Sequence, residues 1–161
     1  MTPVLPITLR PDWSRLLPHD ATEYRGPMLS FWFGVLFLTL ITVRSSIHLF
    51  APDGGAHSIA TIDISIAGGA NIVALFGQWG AIQLVHAALL WVLLIRYRGL
   101  TPLVLLTFLA EPFARGLAGH LKPLTTVGTA PGAALNWVIV PVLAGAFLLS
   151  LCSTRSTDHR Q

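Results

Sequence analysis

Four long runs of apolar side chains limit what this chain can fold into more than any other feature. They read FWFGVLFLTLITV from Phe31, WGAIQLVHAALLWVLLI from Trp79, LTPLVLLTFLAEPFARGLA from Leu100 and AALNWVIVPVLAGAFLLSLC from Ala133. A helix needs about 20 such residues to cross roughly 30 Å of hydrocarbon. The first run reaches that length by extending from Met28 past Arg44 to Leu49. The whole chain is 53% hydrophobic and 11% charged, against about 25% charged residues in a soluble domain. That excludes an ordinary cytosolic enzyme, and so much apolar surface also excludes disorder. The pattern predicts an all-α integral membrane protein, a four-transmembrane-helix bundle over residues 28–152. Tails of 1–27 and 153–161 flank it.

The N-terminal tail holds Pro3, Pro6, Pro11, Pro18 and Pro27, which bar a long helix. It has no apolar core of the kind a cleavable signal peptide carries. Residues 12–17 (DWSRLL) suit either a short turn on the membrane surface or an unstructured tail. A single cysteine, Cys152, excludes an internal disulfide framework and a CxxC redox pair, and is expected to be a packing residue.

Between the first two runs lies the ambiguous stretch 51–78. It is long enough to hold a span but carries Asp63, Ser65, Asn71 and the pair Gly68-Gly69. Charge decides against a span there. With four spans and the N-terminus inside, Arg10, Arg15, Arg25, Arg96, Arg98, Arg155 and Arg160 share the inner side, and Lys122 is the only cation in the outer loops. A fifth span would divide those arginines between both faces, against the positive-inside rule. The stretch is therefore expected to be an outer re-entrant or interfacial segment. The second span begins near Trp79 or, as one long helix, as early as Asn71. The expected location is a cytoplasmic (inner) membrane with both termini cytoplasmic. Arginines at the borders of apolar runs fit that topology and no nucleic-acid partner.

Polar groups inside a bilayer are costly, so their depth is informative. Alternating the spans puts them in one leaflet. Arg44 and His48 fall near the outer end of the first span, Gln83 and His86 in the outer half of the second, Glu111 and Arg115 in the outer half of the third, and Asn136 near the outer start of the fourth. His86 is expected to be the most buried histidine. Pro112 and Pro141 free carbonyls one turn earlier and favour a widened bundle. An outward-opening polar pocket follows, roofed by the outer segment with His57 and Asp63, and paired internally through Glu111 with Arg115 or Arg44.

No nucleotide loop, HExxH or CxxC motif occurs, so no metal and no cofactor is expected. The unequal depths of His48 and His86 speak against a bis-histidine haem. The layout of four spans, the short inner turn RYRGL and outer-half polar residues resembles that of DoxX-like small four-helix membrane proteins. This likeness of layout assigns no role to any residue. Partners expected from the residues are the lipid bilayer, a lipophilic small molecule or other membrane subunits. The primary expectation is a ligand-binding or complex-assembly subunit, with Arg44, His48, Gln83, Asp63 and Asn136 as binding residues. One alternative is a cofactor-independent enzyme running acid–base chemistry on a lipophilic substrate, with Glu111, His86 and Arg115 catalytic. A second is an oligomeric transporter.

Overall fold

The computed structural model describes residues 4–154. Its helices are α1 (Met28–Phe50), α2 (Gly69–Arg96), α3 (Thr101–Leu121) and α4 (Pro131–Ser150), with short 3₁₀ turns at Trp13–Leu16 and Arg98–Leu100. The described residues contain no strand. Three helical stretches, Met28–Phe50, Gly69–Arg96 and Arg98–Leu121, are long and apolar enough to cross a membrane. The apolar part of α4 among the described residues, Trp137–Ser150, is shorter. Arg155 and Arg160 lie outside the described residues.

Proline and glycine set the helix starts. Pro27 holds extended backbone just before α1, and Pro102 and Pro131 sit in the first turns of α3 and α4, where a missing N–H is harmless. Gly68, at φ +90°, turns the chain into α2, a conformation that glycine alone adopts without strain. The second helix is thus the long one, and residues 58–76 do not form a separate span: they divide between an irregular connection and the first two turns of α2. At 28 residues α2 is about 42 Å long, so it extends beyond a hydrocarbon layer of roughly 30 Å.

The packing is uneven along the helices. Buried core residues are Phe31 and Leu38 of α1, Ala87, Leu90 and Leu94 of α2, Val104, Leu105 and Phe108 of α3, and Leu143, Phe147 and Leu151 in and just after α4. Chain direction alternates, so all of these fall in one half of the molecule, toward the Arg96–Thr101 turn. The N-terminal segment closes that basic end. Asp12 caps its 3₁₀ turn by accepting from the Ser14 N–H, Leu16 packs on the core, and the Asp12 N–H donates to the Leu151 carbonyl at 3.1 Å. Arg15 Nη1 donates to the Cys152 carbonyl at 2.9 Å, placing a cation where a helix C-terminus favours one. Trp13, by contrast, is exposed. Cys152 is buried.

At the opposite end the two connections meet. The Val127 N–H donates to the Thr61 carbonyl at 2.9 Å, and Thr61 Oγ1 donates to the Gly128 carbonyl at 2.9 Å. Between this loop end and the apolar core lies a more polar, less filled layer of α1, α2 and α3.

Candidate functional site

That layer contains a partly enclosed cavity of about 270 Å³ between α1, α2 and α3. Phe37, Ile41, Leu90 and Phe108 supply its apolar wall, and Arg44, Gln83, His86 and Glu111 its polar groups. Residues from three separate helices meet here because each polar group lies one turn from a residue packed in or against the core on the same helix: Arg44 from Ile41, Gln83 from Ala87, His86 from Leu90 and Glu111 from Phe108.

Glu111 organises the charges. Arg115 Nη2, one turn along α3, donates to Glu111 Oε2 at 2.8 Å. Arg44 Nη2 reaches across from α1 to within 3.8 Å of the other oxygen, Oε1. The first contact is a charge-assisted hydrogen bond, and the second is an ion pair at longer range. Arg44 Nε is buried and has no hydrogen-bond partner. Its guanidinium lies 5.8 Å from the centre of the Trp79 ring, within cation–π range.

A second set of contacts ties α1 to α2 beside the cavity. Ser45 Oγ is 2.9 Å from Gln83 Oε1, and Trp91 Nε1 donates to Thr42 Oγ1 at 3.1 Å. Gly80 permits the close approach. A Cβ there would lie 2.7 Å from the Leu49 backbone nitrogen and 2.8 Å from His48 Cβ.

The histidines reverse the sequence expectation. His86 is exposed at the cavity margin, while His48 is the buried one, at 3% exposure. The depth along a helix was legible, but not the face that the bundle would cover. His48 does not line the cavity. Its Nδ1 is 2.8 Å from the Gly54 carbonyl, and since a carbonyl can only accept, Nδ1 carries the proton. The ring stacks on Trp79 at 4.9 Å between centroids and meets Phe76 edge-on at 5.5 Å. His48 therefore holds the 51–68 connection against α2.

Asp63 also stays outside the cavity lining. It accepts from the Ser65 N–H at 2.9 Å and from Ser65 Oγ at 2.7 Å, which holds its carboxyl below the usual carboxylate range. His57 Nδ1 faces the Ile62 carbonyl at 3.2 Å. These two residues shape the loop. Among the described residues no three His, Cys, Asp or Glu side chains gather as a metal site would require. The Asn136 side chain lies outside the described residues.

Sequence reasoning missed Trp79 and Asp53. Trp79, at the head of the second apolar run, bridges His48 and Arg44. Asp53 organises the connection: its Oδ2 accepts from the Ser58 N–H at 2.7 Å and Oδ1 from the Gly55 N–H at 2.9 Å. These backbone donors push its carboxyl down to about 2. The Asp53-Gly-Gly triplet in APDGGAHS was the available signal, being typical of a turn.

Comparison with protein-family models, curated proteins and solved structures returns no match, so the chemistry of the site rests on its own residues.

Proposed function

We propose that this chain is a small multi-pass membrane protein that binds a lipophilic molecule in the cavity between α1, α2 and α3. One observation carries the reading: polar groups from three helices, Arg44, Gln83, His86 and Glu111, converge on one partly enclosed cavity with an apolar wall. A ligand that enters from a bilayer needs that combination, apolar surface for its body and a few fixed polar groups to orient it. In this reading α4 is the fourth span. The end bearing Arg10, Arg15, Arg25, Arg96 and Arg98 is cytoplasmic, and the cavity belongs to the outer half of a cytoplasmic membrane.

The acid–base alternative finds less support. A catalytic carboxylate must present an oxygen to its substrate, whereas Glu111 is hydrogen-bonded by Arg115 through one oxygen and faces Arg44 with the other. These contacts suit Glu111 to ordering arginines.

Photolabelling tests the binding reading. The purified full chain in lipid nanodiscs is irradiated with a hexadecyl diazirine probe, and labelled peptides are mapped. Labels concentrated on the α1, α2 and α3 cavity residues are expected, with sharp loss in Ala110→Phe, which fills the cavity from its exposed margin. Even labelling of all lipid-facing residues, unchanged by that substitution, would show that the cavity binds nothing.

A further inference from the structure

Among the described residues the charges around the cavity do not balance. Glu111 is the only carboxylate in all four helices, and it faces two arginines, Arg44 and Arg115. The other acids of the described residues lie elsewhere: Asp12, Asp20 and Glu23 in the N-terminal segment, Asp53 and Asp63 in the 51–68 connection. Asp53 and Asp63 are each held by neighbouring backbone and hydroxyl donors of the same loop. Among the described residues one carboxylate thus answers two guanidiniums beside an apolar cavity, where excess charge is unfavourable.

The geometry identifies which arginine carries the surplus. Arg115 holds the short contact to Glu111, at 2.8 Å, whereas Arg44 stands off at 3.8 Å. Arg44 lines the cavity, and its Nε has no hydrogen-bond partner. Guanidinium binds a carboxylate or phosphate most strongly through two parallel N–H donors.

Size narrows the ligand further. About 270 Å³ is near the lower end of small-molecule sites, roughly 300–1,000 Å³. It suits a headgroup and the first methylenes of one chain. The remaining chain can leave past His86, Ala110 and Ala114, all exposed at the cavity margin.

Resting on the binding reading above, we propose that the ligand is a single-chain amphiphile with a monoanionic headgroup, a long-chain carboxylate. Arg44 takes its carboxylate, and Phe37, Leu90 and Phe108 pack on the chain nearest the headgroup. A phospholipid phosphodiester shares the anionic chemistry but would bring its glycerol and the starts of two chains into a cavity of about 270 Å³.

Competition against the diazirine label tests this, using palmitate, hexadecanol and phosphatidylglycerol with the full chain in neutral-lipid nanodiscs. Palmitate is expected to compete at a concentration about tenfold below that of hexadecanol, the ratio that a charge-assisted contact supplies. The ratio should fall to near one in Arg44→Gln and persist in Arg44→Lys. Equal competition by palmitate and hexadecanol on the unaltered protein would overturn the anion site while leaving the binding reading intact. Stronger competition by phosphatidylglycerol than by palmitate would overturn the single-chain assignment. Absence of cavity labelling altogether would defeat both proposals together.

Discussion

Arg44 and Glu111, 67 positions apart in the chain, face each other across the α1–α3 boundary with Nη2 3.8 Å from Oε1. Arg115 is hydrogen-bonded to the same carboxylate. One acid thus serves two cations, and its loss should matter more than the loss of either arginine. Glu111→Gln removes the carboxylate that both guanidiniums face. Because all three side chains are partly exposed, the cost should be about 1–3 kcal/mol, below the range for a fully buried pair. Thermal unfolding in detergent checks this. Glu111→Gln should melt below wild type and below Arg44→Gln, and equal melting of all three would contradict the shared-carboxylate arrangement.

Gly80 sets the distance between α1 and α2. Its hypothetical Cβ meets backbone at Leu49 and the His48 Cβ, neither of which can swing away as a long side chain would. Gly80→Ala should therefore destabilise by about 1–3 kcal/mol, as overpacking does. Gly145, with open space around it, is the control: Gly145→Ala should leave the melting temperature unchanged or raised. A neutral Gly80→Ala would mean that these helices are not in close contact.

Asp53 gives the connection a pH dependence of known sign. Its carboxyl is pushed down to about 2 by the Ser58 and Gly55 backbone N–H donors, against about 3.9 when unfolded. The folded state then binds protons less readily than the unfolded one. Its stabilising effect is complete above the unfolded value and disappears as pH falls through the folded one. Asp53→Asn should melt below wild type at neutral pH, and the gap should close near the bottom of that window. A gap independent of pH would show that the carboxylate is not the stabilising group.

Topology can be read by cysteine labelling in a Cys152→Ser background. Ala67→Cys, exposed in the 51–68 connection, should react with an impermeant maleimide in intact cells, and Arg98→Cys should not. Gly55 is a poor labelling position because it is buried at φ +71°. Labelling of Arg98→Cys alone would reverse the proposed orientation.

The helices were legible because length and hydropathy are local properties. The four apolar runs correspond to α1, the C-terminal part of α2, α3 and α4, and the option of a helix starting near Asn71 matches α2. The joint position of Arg44, Gln83, His86 and Glu111 was legible from depth, since alternating spans align residues at equal distances from their ends. Depth, however, says nothing about which side of a helix is covered. His48 and His86 therefore exchanged their expected environments. The N-terminal segment was equally ambiguous, because its contacts with Leu151 and Cys152 join residues more than a hundred positions apart. Trp79 stands at the start of an apolar run, and its contact with Arg44 arises only once α1 and α2 pack.

An experimental structure of the full chain in nanodiscs that retain native lipid tests the central claim most directly. The account predicts elongated density in the α1–α3 cavity, with its polar end within hydrogen-bonding distance of the Arg44 guanidinium and its chain against Phe37, Leu90 and Phe108. A cavity closed by helix packing, with Arg44 turned away to the headgroup layer, would contradict it.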